Sequence, residues 1–229
     1  CGLSQYDLPL IHLLKKKGFT NAWMLDPVLD LGIREDSFGV ETISDRFSSK
    51  RIQQIVHDKG RQDIILAGFI LEHAVNVRNF MSSLKQFVHP YGYIVLQVPD
   101  FEPSLTDFDY ASIWEEHSLY FTMKTFKTAA YMGGFSLIRI NSYSDIKILS
   151  AVWQPIDETR MRKELGSNLD TQVKLTKDYK NRYETRKSDI RGRFLSFQKE
   201  KGHIAILGSG HKACQFINLF DLGRYIKFI

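Results

Sequence analysis

The residues best suited to chemistry lie together in one short segment of this chain. Residues 113–122 read IWEEHSLYFT and include Glu116, His117 and Tyr120. The segment comes after a predicted strand that ends at Val98. In doubly wound α/β domains, ligands bind in the loops beyond the carboxyl ends of strands. A histidine beside a carboxylate has its tautomer fixed and its basicity raised, so this spacing indicates a general base with an orienting carboxylate.

A metal site and an inert loop are the other interpretations of this segment. A metal site needs about three protein ligands, and His117 is the one imidazole nearby in sequence. Glu115 and Glu116 are adjacent, so they point in different directions on any regular backbone. The sequence therefore indicates that no metal is bound. The interpretation of this segment as an exposed acidic loop with a packed His117 also stays open.

Candidate binding residues also stand at earlier predicted strand ends. Gly2 is interpreted as the tail of a glycine-rich loop before the first helix. Asp26 follows a short predicted strand, where it could accept hydrogen bonds from ribose hydroxyls or cap a helix. Gly68 and Phe69 follow a buried strand at the same expected edge. His73, next to Glu72, could be catalytic, although a capping or packing role is favoured for it in isolation.

A second glycine pair lies near the end of the sequence. Gly208 and Gly210 separate a predicted strand from a predicted helix, and Lys212 adds positive charge there. Backbone N–H groups at such a turn could bind phosphate. A short Gly-x-Gly is weak on its own, but the strand–turn–helix context suits it.

The apolar periodicity predicts the elements that must position these residues. Helices are predicted over residues 5–17, 50–59, 77–88, 124–131 and 212–220, strands over 22–25, 40–43, 63–67, 93–98, 136–142, 146–153 and 203–207, and a turn over 90–92. This alternation predicts an α/β fold: a doubly wound, mostly parallel sheet with an antiparallel edge. We predict a core over residues 1–155, a helical connector over 156–201 and the start of a second Rossmann-like domain over 202–229.

Composition narrows the class of protein. The 229 residues carry a formal net charge of +5, and the basic excess lies mostly between residues 160 and 201, as expected of a solvated helix face. Two cysteines exclude a disulfide framework and indicate a reduced, cytoplasmic setting. No membrane span, leader pattern or nucleic-acid motif is evident. Both ends look cut, and we expect a fragment of a longer protein.

These motifs together resemble the sugar C-methyltransferase family of S-adenosylmethionine-dependent enzymes, which act on nucleotide-linked ketosugars. The resemblance follows the family order along almost the whole chain. It rests on LEH at 71–73, PYG at 90–92, VP at 98–99, EHSLYF at 116–121 and the GSG turn with Lys212. Trp114 stands where the family has tyrosine, and Glu115 stands where it has histidine.

The resemblance implies S-adenosylmethionine as cofactor and a small-molecule, nucleotide-sugar substrate methylated at carbon through an enolate. The cofactor would contact Gly2, Asp26, Gly68 and Phe69. His117 would be the base, Glu116 its orienter and Tyr120 the enolate donor. Substrate contacts would fall to Trp114, Glu115, His73, Gly208, Gly210 and Lys212. O- or N-methylation of another small molecule, and a degenerate binding or scaffold protein, are the alternatives.

Overall fold

The computed structural model describes residues 1–34, 39–156 and 169–228, and these residues form two compact units. The first unit holds the described residues of Cys1–Phe101 and Glu116–Asn168, and the second holds those of Glu102–Glu115 and Leu169–Ile229. The division therefore falls inside the segment 113–122. The roles predicted for residues 1–155, 156–201 and 202–229 remain predictions.

The elements follow in chain order. The helices are α1 (Leu8–Lys16), α2 (Val40–Arg46), α3 (Ser49–Lys59), α4 (Val77–Phe87), α5 (Glu102–Asp107), α6 (Met123–Met132), α7 (Asp170–Lys201) and α8 (His211–Leu219). The strands are β1 (Gln62–Gly68), β2 (Val88–Pro99), β3 (Phe135–Tyr143), β4 (Ile148–Pro155), β5 (Ile204–Ala205) and β6 (Ile226–Phe228). Among the described helices, none combines the length and the apolar character that a bilayer crossing demands.

One sheet organises the first unit. Its strand order is β1-β2-β4-β3, with β1 parallel to β2 and β4 antiparallel to both of its neighbours. Beyond β1, Gly2 forms parallel bridges to both Leu66 and Met24. All paired segments except β4 therefore run in one direction. This arrangement confirms the predicted α/β fold class, a mostly parallel sheet with an antiparallel edge.

The core of the first unit follows from the apolar runs of its strands and helices. The last four residues of β1 are buried, whereas the second half of β2 alternates between buried and partly buried residues. The largest fully buried side chains are aromatic: Trp153, Phe47, Phe80, Phe87, Phe126 and Phe135. This packed core supports the carboxyl ends of β1 and β2.

Two local predictions are wrong, and the strand predicted over 22–25 is reduced to an isolated bridge at Met24. Residues 40–43 were expected to be a strand but belong to α2, because Val40 and Ile43 are spaced to bury one helical face. The predicted turn at 90–92 lies within β2, where the register to β1 shifts. A Cβ on Gly92 would come within 2.6 Å of the Asp63 carbonyl oxygen, so this irregularity requires glycine.

The second unit is built around the long helix α7. The described part of the predicted connector, from Asp170 onward, is helical as expected, while residues 157–168 lie outside the described ranges. Tyr110 packs on Tyr179 of α7, with ring centroids 4.3 Å apart, and its hydroxyl donates to the Tyr179 carbonyl at 2.6 Å. The strand predicted over 203–207 is shorter: β5 pairs in parallel with β6.

Candidate functional site

Backbone hydrogen bonds hold the loop after β1 against the segment that contains His117. The carbonyl of Glu72, in a short 3-10 turn, accepts from the N–H groups of Ser118 at 2.8 Å and Leu119 at 3.0 Å. Phe101 N–H, just past β2, donates to the Phe121 carbonyl at 2.8 Å. The segment after Glu115 is thus tied to the carboxyl ends of both central strands.

These bonds place two histidines side by side. The rings of His73 and His117 have centroids 4.8 Å apart and planes at 90°. His73 Nδ1 lies 3.1 Å from the carbonyl oxygen of Glu116. Because a carbonyl only accepts, Nδ1 carries the proton and Nε2 keeps its lone pair. Burial lowers the pKa of His73, an effect offset in part by Glu116 and Glu41, so the ring is neutral near pH 7.

Glu72 is the most unusual group in this cluster. Its side chain is 1% exposed, and within the described residues neither carboxylate oxygen has a hydrogen-bond partner. Burial raises its pKa from an ordinary 4.5 to about 8. A Glu72 oxygen and one ring nitrogen each of His73 and His117 all lie within 4.8 Å of one another. The cluster therefore combines a buried carboxyl group with two imidazoles.

The alternative interpretation of Glu72 and His73 as helix caps is wrong. Asn76 caps α4 instead, with its side-chain oxygen accepting from Asn79 N–H at 3.1 Å. The earlier count of one nearby imidazole considered the sequence alone, and His73 is near His117 in space but not in sequence. The one sequence signal for this contact was that both loops follow the carboxyl ends of predicted strands.

Tyr120 and Glu116 lie beside the histidines. The Tyr120 ring is centred 6.0 Å from the His117 ring and 4.5 Å from the Phe101 ring. Glu116 meets His73 through its backbone carbonyl, and a carboxylate oxygen of Glu116 lies within 4.8 Å of a His73 ring nitrogen and of the exposed Glu41 carboxylate. The roles predicted for Tyr120 and Glu116 remain predictions.

Asp7 is a residue at this edge that the sequence analysis missed. Its carboxylate accepts from the N–H groups of Leu3, Ser4 and Gly68, each at 3.0 Å, and so joins the start of the chain to the end of β1. Burial raises the pKa of Asp7, and these hydrogen bonds offset part of that rise. An acidic residue immediately before α1 was the available signal.

The predicted glycine positions differ in their surroundings. Gly2 lies within the sheet, and a Cβ there would come within 2.6 Å of Met24 Sδ, so close packing requires glycine. Gly68 ends β1 against Asp7. Phe69, the next residue, has a left-handed φ of 50°, and its ring meets Tyr6 edge-on at 5.2 Å. Strained backbone of this kind clusters at ligand sites.

Asp26, the predicted acceptor for ribose hydroxyls, lies just after the bridge that Met24 forms with Gly2. Its Oδ1 accepts from the N–H groups of Val28 and Leu29, each at 2.9 Å. The capping alternative is therefore present in the structure. The turn uses one carboxylate oxygen, and a carboxylate has two, so the cofactor role stays a prediction.

The remaining predicted substrate residues belong to the second unit. Trp114 stacks on His211, with ring centroids 3.8 Å apart, and Glu115 Oε2 accepts from Gln215 Nε2 at 3.0 Å. Gly210 is the N-cap of α8, which carries Lys212 in its first turn, and Gly208 has a φ of 106°. Trp114 and Glu115 thus contact the helix that follows the glycine turn, and their substrate roles remain predictions.

Comparisons with known proteins identify one matching family and two similar solved structures. A family described as "Methyltransferase domain" matches residues 7–140. No curated protein shows significant sequence similarity. A solved O-methyltransferase family protein from Burkholderia thailandensis is 10% identical, with a TM-score of 0.41, over 69% of this chain and 43% of its own. A SAM-dependent methyltransferase from Anabaena variabilis is 14% identical, with a TM-score of 0.36, over 67% of this chain and 66% of its own.

The chain spans less than two thirds of the length of both solved proteins. The family match, by contrast, covers more than half of the 229 residues. The chain therefore belongs to the methyltransferase domain family, and S-adenosylmethionine is the cofactor that this membership implies.

Proposed function

We propose that the protein transfers a methyl group from S-adenosylmethionine to a carbon next to a ketone in a small molecule, and that the acceptor is a nucleotide-linked ketosugar. The observation that carries this proposal is the pairing of buried His73 with half-buried His117 at the strand ends. A carbon acid is a weak acid, so its methylation needs a positioned base. Methylation of an amine depends much less on a base that removes a proton.

The residues of the first unit suit the cofactor. Asp26 retains a second carboxylate oxygen that suits a ribose hydroxyl. The faces of Tyr6 and Phe69 offer the electron-rich surface that attracts a cation such as a sulfonium. When bound, the cofactor supplies an activated methyl group with a thioether as its leaving group.

The chain's own residues perform the proton chemistry in this proposal. His117 accepts the α-proton, and the C–H electron pair becomes the enolate. His73, fixed by the Glu116 carbonyl, lies against His117 and shapes its position. Tyr120 donates to the enolate oxygen. The α-carbon then forms a bond to the methyl carbon as the carbon–sulfur bond breaks with its electrons going to sulfur. His117 returns its proton to water.

Hydrogen exchange in deuterated buffer tests this function. A nucleotide-linked ketosugar, incubated with the protein and S-adenosylhomocysteine, should exchange its α-hydrogen for deuterium in an NMR time course. His117→Asn should abolish this exchange, while the exposed control His57→Asn should retain it. Methyl transfer without any α-exchange would indicate O- or N-methylation instead. A chain that binds no S-adenosylmethionine by calorimetry would be a degenerate scaffold, and the proposal would fail.

A further inference from the structure

We propose that Glu72, His73 and His117 form a binding site for one divalent transition-metal ion of the zinc type. The three side chains offer two imidazole nitrogens and one carboxylate oxygen, all within 4.8 Å of one another. Two histidines and one carboxylate are a ligand set that zinc and iron(II) use in proteins. This inference goes beyond the proposed methyl transfer, which requires no metal.

The carboxylate of Glu72 is the first reason to expect a cation. Buried carboxylates in folded proteins are almost always paired or hydrogen-bonded, because removing one from water is costly. Glu72 is 1% exposed and, in the described part of the chain, both of its oxygens lack a hydrogen-bond partner. It nevertheless points toward two imidazoles. A metal ion between the three groups would satisfy the carboxylate directly.

The orientation of His73 is the second reason. A histidine that binds a metal through one ring nitrogen usually donates the other N–H to a carboxylate or a backbone carbonyl. His73 Nδ1 makes such a contact with the Glu116 carbonyl at 3.1 Å. Its Nε2 lone pair is therefore the one left to face a ligand. The surrounding protein holds this ring in the state that a metal ligand requires.

The dimensions and charge of the cluster also suit an ion. Zinc–nitrogen and zinc–oxygen bonds of about 2.0–2.2 Å place neighbouring ligands roughly 3–4 Å apart, so small side-chain movements would close the site. The carboxylates of Glu41 and Glu116, near His73, add negative charge that favours a cation. His117 is only half-buried, so the cluster is not sealed from solvent.

Occupation of this site would affect the proposed reaction. An imidazole lone pair that binds a metal cannot accept a proton, so His117 would serve either as metal ligand or as base. This consequence rests on the proposed function, whereas the binding claim does not. The test therefore measures binding without cofactor or acceptor.

The experiment uses protein stripped with EDTA and dialysed, in a Cys214→Ser background, because that exposed thiol could bind zinc by itself. Titration with Co²⁺ should give visible absorption bands that saturate at one ion per chain, and Zn²⁺ should displace them. Glu72→Gln and His117→Asn should each weaken Zn²⁺ binding by at least tenfold. The control His57→Asn, whose side chain is 82% exposed, should bind as tightly as the parent protein.

Thermal denaturation distinguishes a variant that does not fold from a folded variant that has lost a metal-binding side chain. Zn²⁺ should raise the melting temperature of the parent protein and of His57→Asn, but not that of Glu72→Gln. Absence of stoichiometric Co²⁺ bands in the folded parent protein would overturn the proposal. So would unchanged Zn²⁺ affinity in folded Glu72→Gln and His117→Asn. Failure of the proposed function would appear separately, as absent cofactor binding or α-exchange in EDTA-treated protein.

Discussion

Replacing the buried carboxyl of Glu72 by an amide should make the metal-free protein more stable at high pH. Burial raises the pKa of Glu72 from 4.5 to about 8, so the folded state holds this proton more tightly than the unfolded state. The stability that this bound proton contributes is therefore fully present below pH 4.5 and is lost as the pH rises toward 8. Glu72→Gln keeps the shape of the side chain but cannot ionise, so it should lack this loss.

The linkage relation sets the size of the effect. With these two pKa values, ionisation of the wild-type side chain lowers the free energy of unfolding, relative to low pH, by about 2 kcal/mol at pH 6, about 3 kcal/mol at pH 7 and about 5 kcal/mol at pH 9. The free energies of unfolding of wild type and Glu72→Gln should thus diverge by about 3 kcal/mol between pH 6 and pH 9. For a chain of this size, that is roughly 5–10 °C in melting temperature.

The assay is urea denaturation of both proteins at several pH values, with EDTA present throughout. Glu41→Gln is the matched control, because that carboxylate lies nearby but is exposed. Its stability should parallel that of the wild type. Parallel curves for wild type and Glu72→Gln between pH 6 and pH 9 would refute the reasoning, since they would mean that Glu72 ionises freely in the folded protein.

Three further predictions concern the same edge of the first unit. His117→Asn should lower methyl-transfer turnover by roughly 10²–10⁴-fold while leaving cofactor affinity unchanged, and a drop in melting temperature with normal turnover would instead indicate a packed structural histidine. Asp26→Ala should weaken S-adenosylmethionine binding by roughly 1–3 kcal/mol in calorimetry. Asp26→Asn, which keeps an oxygen for the turn at Val28, separates the lost charge from the lost cap. Asp7→Ala should lower the free energy of unfolding by roughly 2–4 kcal/mol, because three N–H groups lose a charged acceptor; a change under about 1 kcal/mol would contradict that role.

Much of the fold could be predicted because its signals are local. Buried strands such as β1 appear as short apolar runs, and α4 appears as apolar residues at helical spacing, whatever the rest of the chain does. The prediction failed at α2, where a short segment was interpreted as a strand although Val40 and Ile43 stand at helical spacing. It failed again at Gly92, where only the approach of a neighbouring strand distinguishes a bulge from a turn.

The segment at 113–122 shows a different limit. Its residue types indicated proton chemistry, but sequence proximity suggested that its two ends act together. In the structure, Trp114 and Glu115 pack in the second unit, whereas Glu116 and His117 lie in the first. Neighbouring side chains on an irregular loop can point anywhere, and no periodic pattern records which way they turn.

The sequence by itself determined the class of fold, most of its strands and the general edge where polar groups gather, because periodicity and parallel strands are enough for that. Tertiary structure alone decided that His73 lies beside the segment of His117, although His73 and Glu116 are 43 positions apart. It also decided that, among the described residues, the Glu72 carboxyl is enclosed without a hydrogen-bond partner and that Asp7 binds the end of β1. These contacts depend on a few hydrogen bonds between loops, such as those accepted by the Glu72 carbonyl, and such bonds form only after the sheet has brought the loops together.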